Sequence, residues 1–247
     1  MLPVEKSKPS TRIIIDKIKS LVAFIRYNAA NVFAGKSIYF LILAIVLLLA
    51  VAIFYVMNND APPGAQAVYY FLLVPGVLLI FYPSAYSIQN DADSRMIETL
   101  FGIPDYRYKV WLARSLTHYM VVAVLLLLLA VLCRLGLATF SLDSMLFHLM
   151  FPVVFLGSLG FMIAVLTRSG NSTAVVMVAV ILFFWFTAES LEGSPWNLFH
   201  NPFADVEQIE TLLLSETTLY NRIYLFVGSV IATMFGLLRL QQREKFI

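Results

Sequence analysis

Residues Ser37–Met57 read SIYFLILAIVLLLAVAIFYVM, an apolar run without one charged side chain. A helix needs about 20 such residues to cross ~30 Å of hydrocarbon, so this stretch reads as a membrane span. Five further runs of similar length follow, approximately Ala67–Ile88, Val110–Cys133, Leu146–Thr167, Thr173–Ala188 and Tyr220–Leu240. All are continuous in Leu, Val, Ile, Phe and Ala rather than alternating with period two, which favours helices over barrel strands. Composition agrees: 60% of the 247 residues are hydrophobic, 13% are charged, and the mean hydropathy is +0.84. The expected fold is an all-α membrane protein of six transmembrane helices, a single domain over residues 1–247.

Basic residues are retained on the cytoplasmic side of short membrane links. An inside amino terminus puts Lys6, Lys8, Arg12, Lys17, Lys19, Arg26 and Lys36 in the cytosol. Arg95, Arg107, Lys109, Arg114, Arg168, Arg239, Arg243 and Lys245 join them, and only Arg134 and Arg222 are left outside. Both termini are therefore expected to be cytoplasmic. With the basic residues assigned to membrane flanks, the net charge of +2 carries no suggestion of nucleic acid. A single cysteine, Cys133, excludes an internal disulfide framework. No apolar run followed by a small-residue cleavage site precedes the first span, so no cleavable signal is expected.

Residues 1–36 read as a cytoplasmic tail carrying an interfacial helix. Ile14, Ile18, Leu21, Val22 and Ile25 recur at helical spacing, while Arg12, Asp16, Lys17, Lys19 and Arg26 fall largely elsewhere.

Several chemical signals fail. Ala34-Gly35-Lys36-Ser37 ends like a phosphate-binding loop but has Ala30 where the motif needs glycine, and it enters a span rather than following a strand. Asn171-Ser172-Thr173 fits a glycosylation acceptor but falls in a cytosolic link, where it reads as a helix-starting polar cluster. His118, His148 and His200 lie in separate segments without metal-ligand spacing. No span has Asp, Glu, Lys or Arg near its centre, which argues against an intramembrane hydrolase or an ion-driven carrier.

The polar insert between spans two and three, Gln89–Arg114, reads QNDADSRMIETLFGIPDYRYKVWLAR. Residues Gln89–Ile103 suit a short helix starting near Asp91 or Asp93, with acids at its amino end, and Pro104 stops it before the chain turns into span three.

This insert resembles the link between spans two and three in the membrane permease subunits of type-2 ABC transporters, a class that exports polysaccharides, lipids and drugs. Asp93, Glu98, Leu100, Pro104, Arg107 and Arg114 stand at comparable positions, whereas Arg95-Met96 replace the usual Gly-Thr and Arg114 the commoner Lys. The motif covers about twenty-five residues; the six-span plan, amphipathic amino-terminal segment and long link before span six extend the likeness as architecture. The resemblance implies that 89–109 is a coupling segment docking on a separate cytosolic ATPase, present in two copies, which would bind the ATP and Mg. Asp93, Arg95, Glu98, Leu100, Phe101, Pro104 and Arg107 would form that contact. It further implies a second permease subunit, expected to be another copy of this chain, in a bacterial inner membrane, with no cofactor held by the chain itself and no catalytic or metal site.

The link at 189–219 is too long for a plain turn and is expected to form short membrane-seated helices at the outer leaflet, including an amphipathic run Val206–Leu214. By the same resemblance it closes the outer end of the pathway, with Pro195, Trp196, Phe199 and Phe203 as gate residues. Tyr69 and Phe71 on span two, with Phe183 and Phe186 on span five, are candidates for a substrate path. The competing reading is a non-transporting scaffold that anchors a cytosolic ATPase complex.

Overall fold

The computed structural model describes residues 37–59, 61–93, 106–204 and 210–240. These form six helices: α1 Ser37–Asn58, α2 Ala65–Asp93, α3 Tyr106–Gly136, α4 Leu142–Thr167, α5 Gly170–Thr187 and α6 Glu210–Arg239. Each contains a stretch long and apolar enough to cross a membrane, and among the described residues there is no strand. The chain is a multi-pass membrane protein of the expected helical class. The proposed interfacial helix at 11–34 lies outside the described residues.

The helix α4 is the hub, packing against α2, α3, α5 and α6, while α2 reaches α1, α3, α4 and α5. Small residues permit this. A Cβ on Gly157 would lie 2.7 Å from the Tyr119 ring and 2.8 Å from Cγ1 of Ile80, and one on Gly160 would lie 2.8 Å from Cβ of Ser84. With no hydrophobic drive between helices in lipid, such close approach and the van der Waals contact it brings are what hold them together. The result is uneven burial: 61% of the apolar stretch of α4 is buried, against 17% in both α1 and α5. The core therefore runs along α2 and α4, with Leu72, Leu126, Leu149, Leu156 and Met177 among its fully enclosed side chains.

Pro75 and Pro83 lie inside α2 and Pro152 inside α4. Proline removes a backbone donor, a loss tolerated in membrane helices where neighbouring helices, hydroxyl side chains or water give the freed carbonyls new partners. The α4–α5 turn is two residues long. Arg168 adopts φ 56°, the left-handed conformation that ends helices, and donates its backbone N–H to Ala164 O. Ser169 caps α5 by accepting from Ser172 N. The helix start is thus Ser169, two residues before the Asn171-Ser172-Thr173 cluster, which falls within the first turn of α5. Gly170 donates to Gln89 Oε1 at 2.6 Å, and Tyr86 Oη donates to Asn171 Oδ1 at 3.0 Å. A Cβ at Gly170 would collide with the Tyr86 ring, so this turn requires glycine.

Two boundaries differ from the sequence reading. Gln89–Asp93 belong to α2, which runs unbroken past its apolar stretch, while the rest of the helix expected up to Ile103 lies outside the described residues. The helix α6 begins at Glu210, so the carboxyl-terminal part of the presumed link is the first part of span six. Both corrections have one cause: once a helix is packed, polar residues add further turns at low cost, whereas a hydropathy window stops where the apolar run stops.

Candidate functional site

Along α6, Thr218, Asn221, Arg222, Leu225 and Ser229 are all buried. Their three- and four-residue spacing puts them on one helix face, polar toward the amino end. This face meets the α5–α6 link, whose residues 189–203 form successive turns rather than the expected short helices. Asparagines supply the reason. Asn197 Oδ1 accepts from Phe199 N at 3.0 Å and Asn201 Oδ1 from Phe203 N at 2.9 Å, local bonds that compete with helix formation. Their amide groups then reach outward, Asn197 Nδ2 to Ala188 O and Asn201 Nδ2 to Gln66 O. Asn221 Nδ2 donates to the carbonyls of both Pro195 and Asn197, at 2.9 and 2.8 Å.

Arg222 is 5% exposed. Its Nε donates to Nδ1 of His148 at 3.3 Å, its Nη1 to Asn221 Oδ1 at 2.8 Å and its Nη2 to the carbonyl of His200 at 3.3 Å. The guanidinium also lies over the Phe151 ring, 5.6 Å from its centre. A His148 that accepts at Nδ1 carries its proton on Nε2. The His200 imidazole is buried and shares a 2.8 Å hydrogen bond between Nε2 and Thr218 Oγ1. Burial, then the Arg222 charge, push the His200 pKa down to about 4, so this imidazole is neutral at pH 7. Tyr69 completes the cluster: it is fully buried, feels the charge of Arg222, and its hydroxyl has no hydrogen-bond partner among the described residues. Every partner of Arg222 among the described residues is neutral. Four elements, α2, α4, α6 and the link, converge on one guanidinium.

The expected gate residues divide. Phe199 is buried, edge-on to Trp185 at 6.0 Å, and Phe203 packs on Tyr69 at 5.9 Å and on His148 at 5.7 Å. Pro195 contributes its carbonyl to Asn221. Trp196 is 64% exposed and stacks on Tyr224 at 4.5 Å, with Tyr220 next in line. The four residues named for a substrate path lie on two helices with different surroundings. Tyr69 and Phe71 are buried among helices, while Phe183 and Phe186 lie on the exposed surface of α5. An apolar groove of about 470 Å³ runs between α2 and α5, lined by Leu73, Val77, Phe81, Ile181, Trp185 and Phe199 among others and by none of those four.

Of the expected coupling residues, Asp93 ends α2 and Arg107 lies in the first turn of α3. Arg95, Glu98, Leu100, Phe101 and Pro104 lie outside the described residues. The sequence reading missed the Arg222 cluster. Span six was taken as Tyr220–Leu240, so Arg222 stood in its first turn and was counted only as a basic residue at the outer flank; the available signal was the spacing of Thr218, Asn221, Leu225 and Ser229 around it. Among the described residues no group of three His, Cys, Asp or Glu side chains is placed to hold a metal ion. No family model, curated protein or solved structure matches the chain significantly.

Proposed function

We propose that this chain is the membrane-spanning subunit of an ATP-driven exporter of the type-2 ABC class, working as a pair with two copies of a cytosolic ATPase. The observation that supports it most is the shape of the insert's supports. The apolar stretch of α2 ends at Tyr86, yet the helix continues to Asp93; that of α3 starts at Trp111, yet the helix starts at Tyr106. At 1.5 Å per residue, the α2 extension alone is about 10 Å of helix beyond the hydrocarbon stretch. Two stiff levers joined by a charged insert are what a coupling element requires: force applied at the insert moves two spans. Glu98 would face a basic residue of the ATPase, Leu100, Phe101 and Ile103 would anchor the contact, and Arg107 would sit at its rim.

The sparsely buried α1 and α5 support pairing with a second copy, since their apolar faces suit either lipid or another protomer. In this reading both termini and the insert are cytoplasmic, and the α5–α6 link closes the outer end.

The test is purification of the complex from native membranes in mild detergent, followed by ATPase and transport assays in vesicles. A co-purifying, ATP-hydrolysing subunit whose association is lost in Glu98→Lys, with ATP-dependent transport, is expected. Purification of the chain without any such subunit overturns the reading, and hydrolysis without transport leaves the scaffold.

A further inference from the structure

We infer that the Arg222 cluster is a binding site for a phosphate oxyanion, carried by the headgroup of an anionic lipid. This inference does not depend on the export reading, because the cluster is built from α2, α4, α6 and the α5–α6 link and shares no residue with the insert.

The first argument is an excess of donors. A guanidinium has five N–H groups and no acceptor, and three of its nitrogens are engaged by neutral groups, His148 Nδ1, Asn221 Oδ1 and the His200 carbonyl. Two N–H bonds remain beyond these. The Tyr69 hydroxyl, fully buried and without a partner, lies beside the same guanidinium. A phenol oxygen can accept from arginine, but its own O–H still needs an acceptor. Arginine and phenol donors lie side by side, and among the described residues every acceptor on the guanidinium is neutral. An oxyanion meets both needs, taking several hydrogen bonds at once and balancing a buried positive charge.

The second argument is depth. Tyr69 lies at the start of the second turn of α2 and His148 just under two turns into α4, roughly 6–9 Å below the ends of those helices. On the outer surface of α6 at the level of Arg222, Tyr220, Tyr224 and Trp196 form an exposed stack. Such aromatic belts mark the headgroup level of a bilayer. Phosphate is the abundant oxyanion at that level, and His148, only partly buried and flanked by the exposed Phe147, gives the route from the lipid side.

The test uses the full chain in detergent, with thermal unfolding followed on addition of phosphatidylglycerol, diacylglycerol or inorganic phosphate. Phosphatidylglycerol is expected to raise the melting temperature in a saturable way, diacylglycerol to leave it unchanged, and Arg222→Gln to abolish the shift. Because Arg222→Gln can fail to fold, Tyr69→Phe serves as the second variant: it keeps the ring and removes only the hydroxyl, and should weaken the apparent lipid affinity about tenfold. Inorganic phosphate should act only at far higher concentration; an equal effect overturns the lipid as the source. A diacylglycerol shift matching that of phosphatidylglycerol, or undiminished affinity in Tyr69→Phe, overturns the site.

Discussion

The Nε of Arg222 donates to Nδ1 of His148 across 3.3 Å, joining α6 to α4 through two residues 74 positions apart. The guanidinium simultaneously holds Asn221 and the backbone of His200, so one side chain ties the link to both helices. Arg222→Leu should therefore lower the unfolding stability by about 3 kcal/mol, because it leaves Asn221 Oδ1 and the His200 carbonyl without a donor. Arg222→Lys should recover part of this loss, since an ammonium keeps the charge but not the planar fork. Thermal unfolding of the detergent-purified variants measures it; equal melting temperatures for wild type and Arg222→Leu would remove Arg222 as the tie.

Acid should weaken the same region through His200. The folded imidazole titrates near 4, below the ordinary value of ~6.5, because burial and then Arg222 disfavour its charge. The unfolded chain thus takes up a proton that the folded chain refuses. Stability is intact above about pH 6.5 and falls as the pH drops toward 4. After allowance for solvent screening, the loss attributable to His200 is about 1–2 kcal/mol. Melting temperature against pH should be flatter in His200→Gln than in wild type, and parallel curves would contradict the assignment.

The two aromatics expected to act together as a gate should behave differently. Phe199→Ala removes a buried ring from beside Trp185 and should cost about 2–4 kcal/mol. Trp196→Ser loses an exposed stack on Tyr224 and should cost less than about 1 kcal/mol. A comparison of single variants by thermal unfolding separates them. Only Trp196 is then a clean probe of transport, because Phe199 variants confound gating with folding.

Topology is testable with single cysteines after Cys133→Ala. Asn59 and Glu192 are exposed and belong to links on the same side of the bundle, so cysteines there should react with an impermeant thiol reagent in intact cells. A cysteine at Ser94 should not. Asn197, an otherwise natural choice for the link, is 9% exposed and bonded to Ala188 and Phe199, which makes it unsuitable. Labelling of Ser94 from outside would reverse the orientation and remove the coupling reading.

Within the insert, Glu98→Lys should disrupt ATPase association far more than Lys109→Ala. Reversing a partly desolvated charge costs several kcal/mol, whereas trimming a rim charge costs less than about 1 kcal/mol. Co-purification yield and stimulated hydrolysis measure the difference; two negligible effects would dismiss the docking role.

The sequence by itself determined the solvent, the number of spans and the polar character of the insert. These depend on local properties: an apolar run of about 20 residues has one low-energy state in hydrocarbon, a helix with its backbone bonds satisfied internally. Ser37–Met57 needed no partner to be read. Helix ends were less legible, as Asp93 and Glu210 show, because a packed helix carries polar turns beyond its apolar stretch. Only the tertiary structure decided that Tyr69, His148, His200 and Arg222 meet. In sequence Tyr69 is one aromatic of many, His148 and His200 are isolated imidazoles, and Arg222 is a basic residue at the outer end of span six until α6, running from Glu210, is seen to bury it. The buried face of a helix is set by the neighbours it packs against, and a charge far from its partners in sequence acquires its meaning only when folding brings their dipoles within about 3 Å.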